Sequence, residues 1–204
     1  MSASRCYKQG QYFSTLLVAN YKEGIFIFSF KNIKNLKVLA ISALFAAISI
    51  ILGKFLAFNV GDTLRFSFEN LPFFLSGYFF GGPVGALTAL VADVIGCILR
   101  GYAINPILTF ASVFIGFASG VFAKLFSKLN FYFATALNVT ICHFIGSVLI
   151  KTVGLSVWYG SPFIPLLIQR SLNYIVVAVC EYFCLVVLLK NKSLKSQISS
   201  VLGK

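Results

Sequence analysis

Six apolar runs, each closed by charge, glycine or proline, occupy the chain from about residue 36 to about residue 190. They predict helices over about 36 to 58, 68 to 81, 84 to 100, 106 to 127, 131 to 152 and 163 to 189. The second and third runs fold about Gly81-Gly82-Pro83, and the third carries Asp93 in its interior. Polar positions inside the runs recur at helical spacing. Arg170, Tyr174, Val177 and Glu181 stand at i, i+4, i+7 and i+11, with Gln169 and Asn173 beside them. Thr140, His143, Ser147 and Lys151 stand at i, i+3, i+7 and i+11, and Asp93 shares a face with Arg100. A polar stripe on an apolar helix is satisfied by turning toward other helices or a wet site, because lipid offers it no partner.

Composition settles the class. Of the 204 residues 59% are hydrophobic and 11% charged, more apolar surface than one soluble core hides. The expected fold is an all-α integral membrane protein, six transmembrane helices in a compact bundle. The net charge of +12 does not point to nucleic acid, since the basic residues sit at helix ends and in tails, where anionic lipid headgroups meet them. Lys31, Lys34, Lys37, Lys124, Lys128, Lys190, Lys192 and Lys195 fall on one side of a six-span topology, which makes that side and both termini cytoplasmic. The domain reading is a cytoplasmic N-terminal extension over 1–35, a membrane domain over 36–190 and a cytoplasmic tail over 191–204. The stretch YKEGIFIFSFKNIK before the first span suits the membrane surface, and no secretory leader is read ahead of it. Cys6, Cys97, Cys142, Cys180 and Cys184 lack disulfide spacing, and with His143 as the one histidine no metal or cofactor is expected.

The remaining cations, Lys54, Arg65, Arg100, Lys151 and Arg170, fall at or near the opposite, outer ends of different helices. Snorkelling to the interface explains one or two of them; five together suggest a mouth that attracts an anion. Two readings are open for the acids: Asp93 or Glu181 is neutralised internally by Arg170, or they serve a ligand. His143 is likewise open between a hydrogen-bonded core residue and a ligand contact. Tyr102, Trp158 and Tyr159 are belt aromatics or stacking partners for a flat ligand. Asn105-Pro106 and Asn70 with Pro72 read as helix starts, Asn105 being retained as a contact because it shares a loop with Tyr102. Small residues form other faces: Ala40, Ala43 and Ala47 on the first helix, and Gly116 with Gly120 on the fourth.

The segments RFSFENLP, GYFFGGPVGALTALVADVIGC and GYAINPILTF, within Arg65 to Phe110, resemble the vitamin-binding S components of energy-coupling factor transporters, closest to the folate type. The resemblance implies a six-helix protein of the bacterial cytoplasmic membrane that captures a vitamin and passes it inward with a membrane coupling subunit and two cytosolic ATPases. It implies docking of the coupling subunit on the stripe of Ala40, Ala43 and Ala47. The chain has no Gly-x-x-x-x-Gly-Lys-Ser/Thr phosphate loop, so ATP hydrolysis belongs to other subunits. For a folate-like anion, Arg65, Arg100 and Arg170 suit the two tail carboxylates, with Lys151 as auxiliary. Asp93, Asn173 and Gln169 suit the pterin edge, Tyr102, Trp158 or Tyr174 its faces, and Glu69 either the pterin or the start of the second helix. Related S components for pantothenate, thiamine or a pyridoxine-like vitamin share the hairpin pattern. An intramembrane enzyme built on His143 with Asp93 or Glu181 is the competing class.

Overall fold

The computed structural model describes residues 30–60 and 64–201. Among them six apolar helices form the bundle, and five are long enough to cross a membrane. Helix α1, Leu36–Phe55, is capped by the Asn35 side chain accepting from the Lys37 amide, and its last turn, Ile51–Phe55, widens to a π-helix. The chain then makes a short antiparallel hairpin of β1 (Phe58–Val60) and β2 (Leu64–Phe66), with Asn59 opposite Arg65. Helix α2, Asn70–Phe80, has 11 residues. At 1.5 Å per residue it rises about 16 Å, roughly half the hydrocarbon thickness.

Gly81, at φ +96°, turns the chain into α3, Gly82–Arg100, where Pro83 fits the first turn and needs no amide partner. Helix α4, Pro106–Leu125, starts on Asn105, whose side-chain oxygen accepts from the amides of Ile107 and Leu108. Helix α5 runs over Phe131–Tyr159, with π-helical turns at His143–Ile150. Helix α6, Phe163–Lys190, has 28 residues, and a short polar helix, α7 (Lys192–Val201), follows.

Two departures from the expected spans have clear causes. Helix α1 stops at Phe55, where Leu56 leaves helical geometry ahead of the apolar-polar alternation that starts at Phe58 in the hairpin, and α5 continues to Tyr159 because no glycine stop acts before Gly160, at φ +66°. The expected surface stretch before α1 lies outside the described residues except for a 3-10 turn at Phe30–Lys34. That turn is tied down by the Asn32 amide donating to the Phe80 carbonyl at 2.8 Å.

The bundle has two unlike ends. At the lysine end, near Lys34, Lys37, Lys124, Lys128, Lys190 and Lys192, the interior is mainly apolar, with Val38, Phe45, Phe80, Val84, Ile115, Val139, Leu185 and Leu189 around the buried Asn138, whose amide donates to the Ser119 carbonyl. Ile198 of α7 is buried against this cluster. Here α2, α3 and α4 approach through glycines. A β-carbon on Gly85 would strike the Gly116 carbonyl, and one on Gly120 would strike the Gly82 amide, so the small-residue spacing at Gly116 and Gly120 serves close helix contact as expected. Outward, Leu44, Phe110, Phe133, Phe144, Leu172, Ile175, Phe183 and Val187 are exposed around the bundle and form a surface for lipid. Hydroxyls within the helices are satisfied locally, as where Ser42, Thr88 and Ser171 donate to the carbonyls of Val38, Val84 and Leu167.

Candidate functional site

Charge enters the interior at the hairpin end. Glu69, just before α2, accepts from the Lys151 ammonium of α5 at 2.9 Å, and Lys151 is only 6% exposed. The Glu69 backbone is held as well: its carbonyl accepts from the Ser49 hydroxyl of α1 at 2.6 Å, and its amide donates to the Ser67 hydroxyl. Asp93 of α3 accepts from the Thr109 hydroxyl of α4 at 2.7 Å. These groups form one electrostatic neighbourhood. Lys151 interacts with Glu69, Asp93 and Tyr174, and the half-buried Cys97 thiol lies in the field of Asp93, Lys54, Glu69 and Lys151. The Lys54 stem crosses to α3, where a β-carbon on Gly96 would stand 2.9 Å from Lys54 Cε.

A second polar group lies one level deeper. His143 Nε2 is 2.6 Å from Glu181 Oε2, and His143 Nδ1 is 3.2 Å from the Ser147 hydroxyl. The ring sits between Phe74 and Tyr174, at centroid distances of 5.5 and 5.4 Å. Arg170 Nε donates to the Ser147 carbonyl in the π-helical part of α5, and its guanidinium lies 5.4 Å from the Tyr174 ring centroid while donating to the Tyr174 hydroxyl. The face read from the sequence of α6 is thus present: Val177 and Glu181 are buried, Arg170 and Tyr174 half-buried.

Several expectations change. Glu181 is not neutralised by Arg170, because 11 residues of helix put about 16 Å of rise between them; His143 on the neighbouring helix is the nearer partner. Thr140 leaves the predicted face and is exposed. Before residue 143 the buried side of α5 follows Asn138 and Cys142 in α-helical phase, whereas the wider turns from His143 onward bring His143, Ser147 and Lys151 into line at i, i+4 and i+8. Asn70 does not cap α2. It is the first helical residue, fully buried, and its amide finds no hydrogen-bond partner among the described residues. Asn105 does cap α4, but its amide nitrogen also donates to the Gly154 carbonyl, so its polar atoms are taken up by structure.

The five outer cations do not form a single ring. Lys151 and Arg170 point into the bundle, Lys54 lies along α3, and Arg100 is exposed with its guanidinium 5.1 Å from the Phe55 ring centroid. The Arg65 backbone stands in β2; its side chain lies outside the described residues. Gln169 and Asn173 are half-buried beside Arg170 on α6, while Tyr102 and Trp158 are about half exposed at the rim. Ala40, Ala43 and Ala47 are exposed on the outer face of α1. Cys180 and Cys184 are exposed on α6, and among the described residues no three metal-ligating side chains gather. Thr109 and Ser49 were not singled out from the sequence; a hydroxyl within an apolar run gives no sign that it serves an acid on another helix.

A family model described as ECF transporter, substrate-specific component matches residues 37–202. Among solved structures, the crystal structure of FolT bound with folic acid matches with a TM-score of 0.59 at 23% identity, over 72% of this chain and 90% of that chain. At that identity the likeness is one of fold. No curated protein matches the chain.

Proposed function

The chain belongs to the substrate-specific components of energy-coupling factor transporters, a multi-pass membrane family, and from that membership we propose that its substrate is a folate-type vitamin. The observation that carries the proposal is the gathering of Glu69, Asp93, Lys151 and Arg170, from four different parts of the bundle, at one end of its interior. Ionised groups in a bilayer cost on the order of 3 kcal/mol each and are kept where they serve a ligand, a pathway or each other. The mixed signs suit a ligand that has hydrogen-bond donors at one end and carboxylates at the other.

In this reading Asp93 and Glu69 face the donor edge of the pterin, with Gln169 and Asn173 beside it. Arg170 takes a tail carboxylate and Tyr174 stacks against a ring; Arg65 and Arg100 guide the anion at the mouth, with Tyr102 and Trp158 around it. Lys151 neutralises Glu69 and so acts on the ligand through that acid rather than on the tail. The fold shared with a protein solved with folic acid supports the choice of vitamin. The coupling subunit docks on Ala40, Ala43 and Ala47, two cytosolic ATPases supply the energy, and the lysine end faces the cytoplasm. His143 serves structure here, since both ring nitrogens are engaged by Glu181 and Ser147 and the residue is 2% exposed. That leaves the enzyme reading without a free base at this position.

Calorimetry on the detergent-purified chain is the test: one folic acid per chain is expected, with no heat from pantothenate, thiamine or pyridoxine. Heat from one of those and none from folates overturns the choice of vitamin.

A further inference from the structure

Helix α1 presents two faces. Outward it shows Ala40, Ala43 and Ala47. Inward, toward the hairpin end, it shows Ser49 and Gly53, four residues apart and both buried. The Ser49 hydroxyl holds the Glu69 carbonyl at 2.6 Å. Gly53 stands in the π-helical turn Ile51–Phe55, and a β-carbon built on it would come within 2.7 Å of both Glu69 Cβ and Glu69 Oε2. Side chains do not approach so closely, so the Glu69 side chain rests directly on the α1 backbone while its other oxygen, Oε1, meets Lys151.

Helix packing alone does not account for this glycine. Gly85, Gly116 and Gly120 are needed because a β-carbon there would meet the backbone of a neighbouring helix; at Gly53 the nearest atoms are all those of one acidic side chain. The π-helical turn matters too, because it inserts a residue into the last turn of α1 and so sets which backbone surface meets Glu69.

We propose that Gly53, with Ser49, is a positioning residue: the bare surface of α1 seats the Glu69 carboxylate against Lys151 and so sets the orientation in which a substrate meets it. The effect on affinity rests on the substrate reading above; the seating of Glu69 does not.

The test separates the two. The chain's glutamates are Glu23, Glu69 and Glu181, so full-length protein labelled with 13C at the glutamate carboxyl gives few resonances, and Glu69→Gln assigns the one from Glu69. Gly53→Ala is expected to move the Glu69 resonance and leave that of Glu181 in place, without ligand present. An unmoved Glu69 resonance overturns the proposal. In calorimetry with folic acid, Gly53→Ala is expected to weaken binding roughly tenfold or more, and to add nothing in a Glu69→Gly background, where the obstructed atoms are gone. An equal loss in both backgrounds overturns the positioning role. Alanine is the better helix former, so lost helix propensity does not explain a deficit. Ser49→Ala, which adds no atoms, supplies a second variant should Gly53→Ala fail to fold, and a Glu69 resonance indifferent to it counts against the proposal. Wild-type protein that takes up no folic acid overturns the substrate assignment and leaves the carboxyl resonance to decide the role of Gly53.

Discussion

At the lysine end, α2, α3 and α4 touch through Gly77, Gly85, Gly116 and Gly120, and the interior is mainly Phe, Leu, Val and Ile. At the hairpin end the same helices carry Glu69 beside α2, Asp93 on α3 and Thr109 on α4; Thr109 donates a hydrogen bond to Asp93, and Glu69 forms an ion pair with Lys151 of α5. One half is specified by shape, the other by charge. Between them lies the buried His143–Glu181 pair, with Phe74 on its apolar side and Tyr174 on its polar side. The difference teaches where robustness and function reside: helices locked by close packing at one end can hold charged groups at the other without needing those groups for their own association.

That division is open to attack, from the strongest perturbation to the mildest. Gly116→Leu forces a side chain into the Gly85 backbone and should cost about 3 kcal/mol or more, read as a collapse of thermal unfolding temperature in detergent. His143→Ala removes the partner of a fully buried acid and should cost on the order of 3 kcal/mol; a paired His143→Phe and Glu181→Leu variant should recover most of it, since apolar replacements leave no buried charge behind. If the double variant is as unstable as the single one, the boundary is held by more than this pair. Arg170→Ala should weaken folic acid binding by about 2 kcal/mol, roughly 30-fold, while moving the unfolding temperature of the ligand-free protein little. Equal loss of stability and affinity would erase the distinction between the halves. Thr109→Val, which strips one hydrogen bond from Asp93, should lower affinity by about 1 kcal/mol. Arg100→Ala should do least, below about 1 kcal/mol, because that guanidinium is exposed at the rim; its effect should fade further in high salt.

Much of the bundle was legible in the chain because hydropathy reports burial in lipid directly. The turn at Gly81-Gly82-Pro83, the Asn105 cap and the stripe from Arg170 to Glu181 all emerged from local rules that tertiary contacts did not override. The hairpin was missed although its signal was present: Phe58 and Val60 before Gly61-Asp62, and Leu64 and Phe66 after, alternate in the way a strand pair does. The π-helical turns left no such trace, since reading at a period of 3.6 residues places Thr140 rather than Asn138 with the buried residues of α5. Partner choice was the least legible. That Glu181 takes His143 and Glu69 takes Lys151 depends on helix rotation and depth, which one-dimensional spacing within a helix does not encode.

Glu69 and Lys151 are 82 residues apart, and His143 and Glu181 are 38. During translation each first-made member therefore enters the bilayer before its counterpart exists. The hydroxyls of Ser42 and Thr88 find a carbonyl within their own helix and need not wait. Glu69 must remain near the aqueous boundary until the fifth helix is synthesised, and the imidazole of His143 lacks its acid partner until the sixth. Membrane insertion of this chain is thus completed from its C-terminal side, with the last two helices closing an interior that the first four leave electrically unfinished.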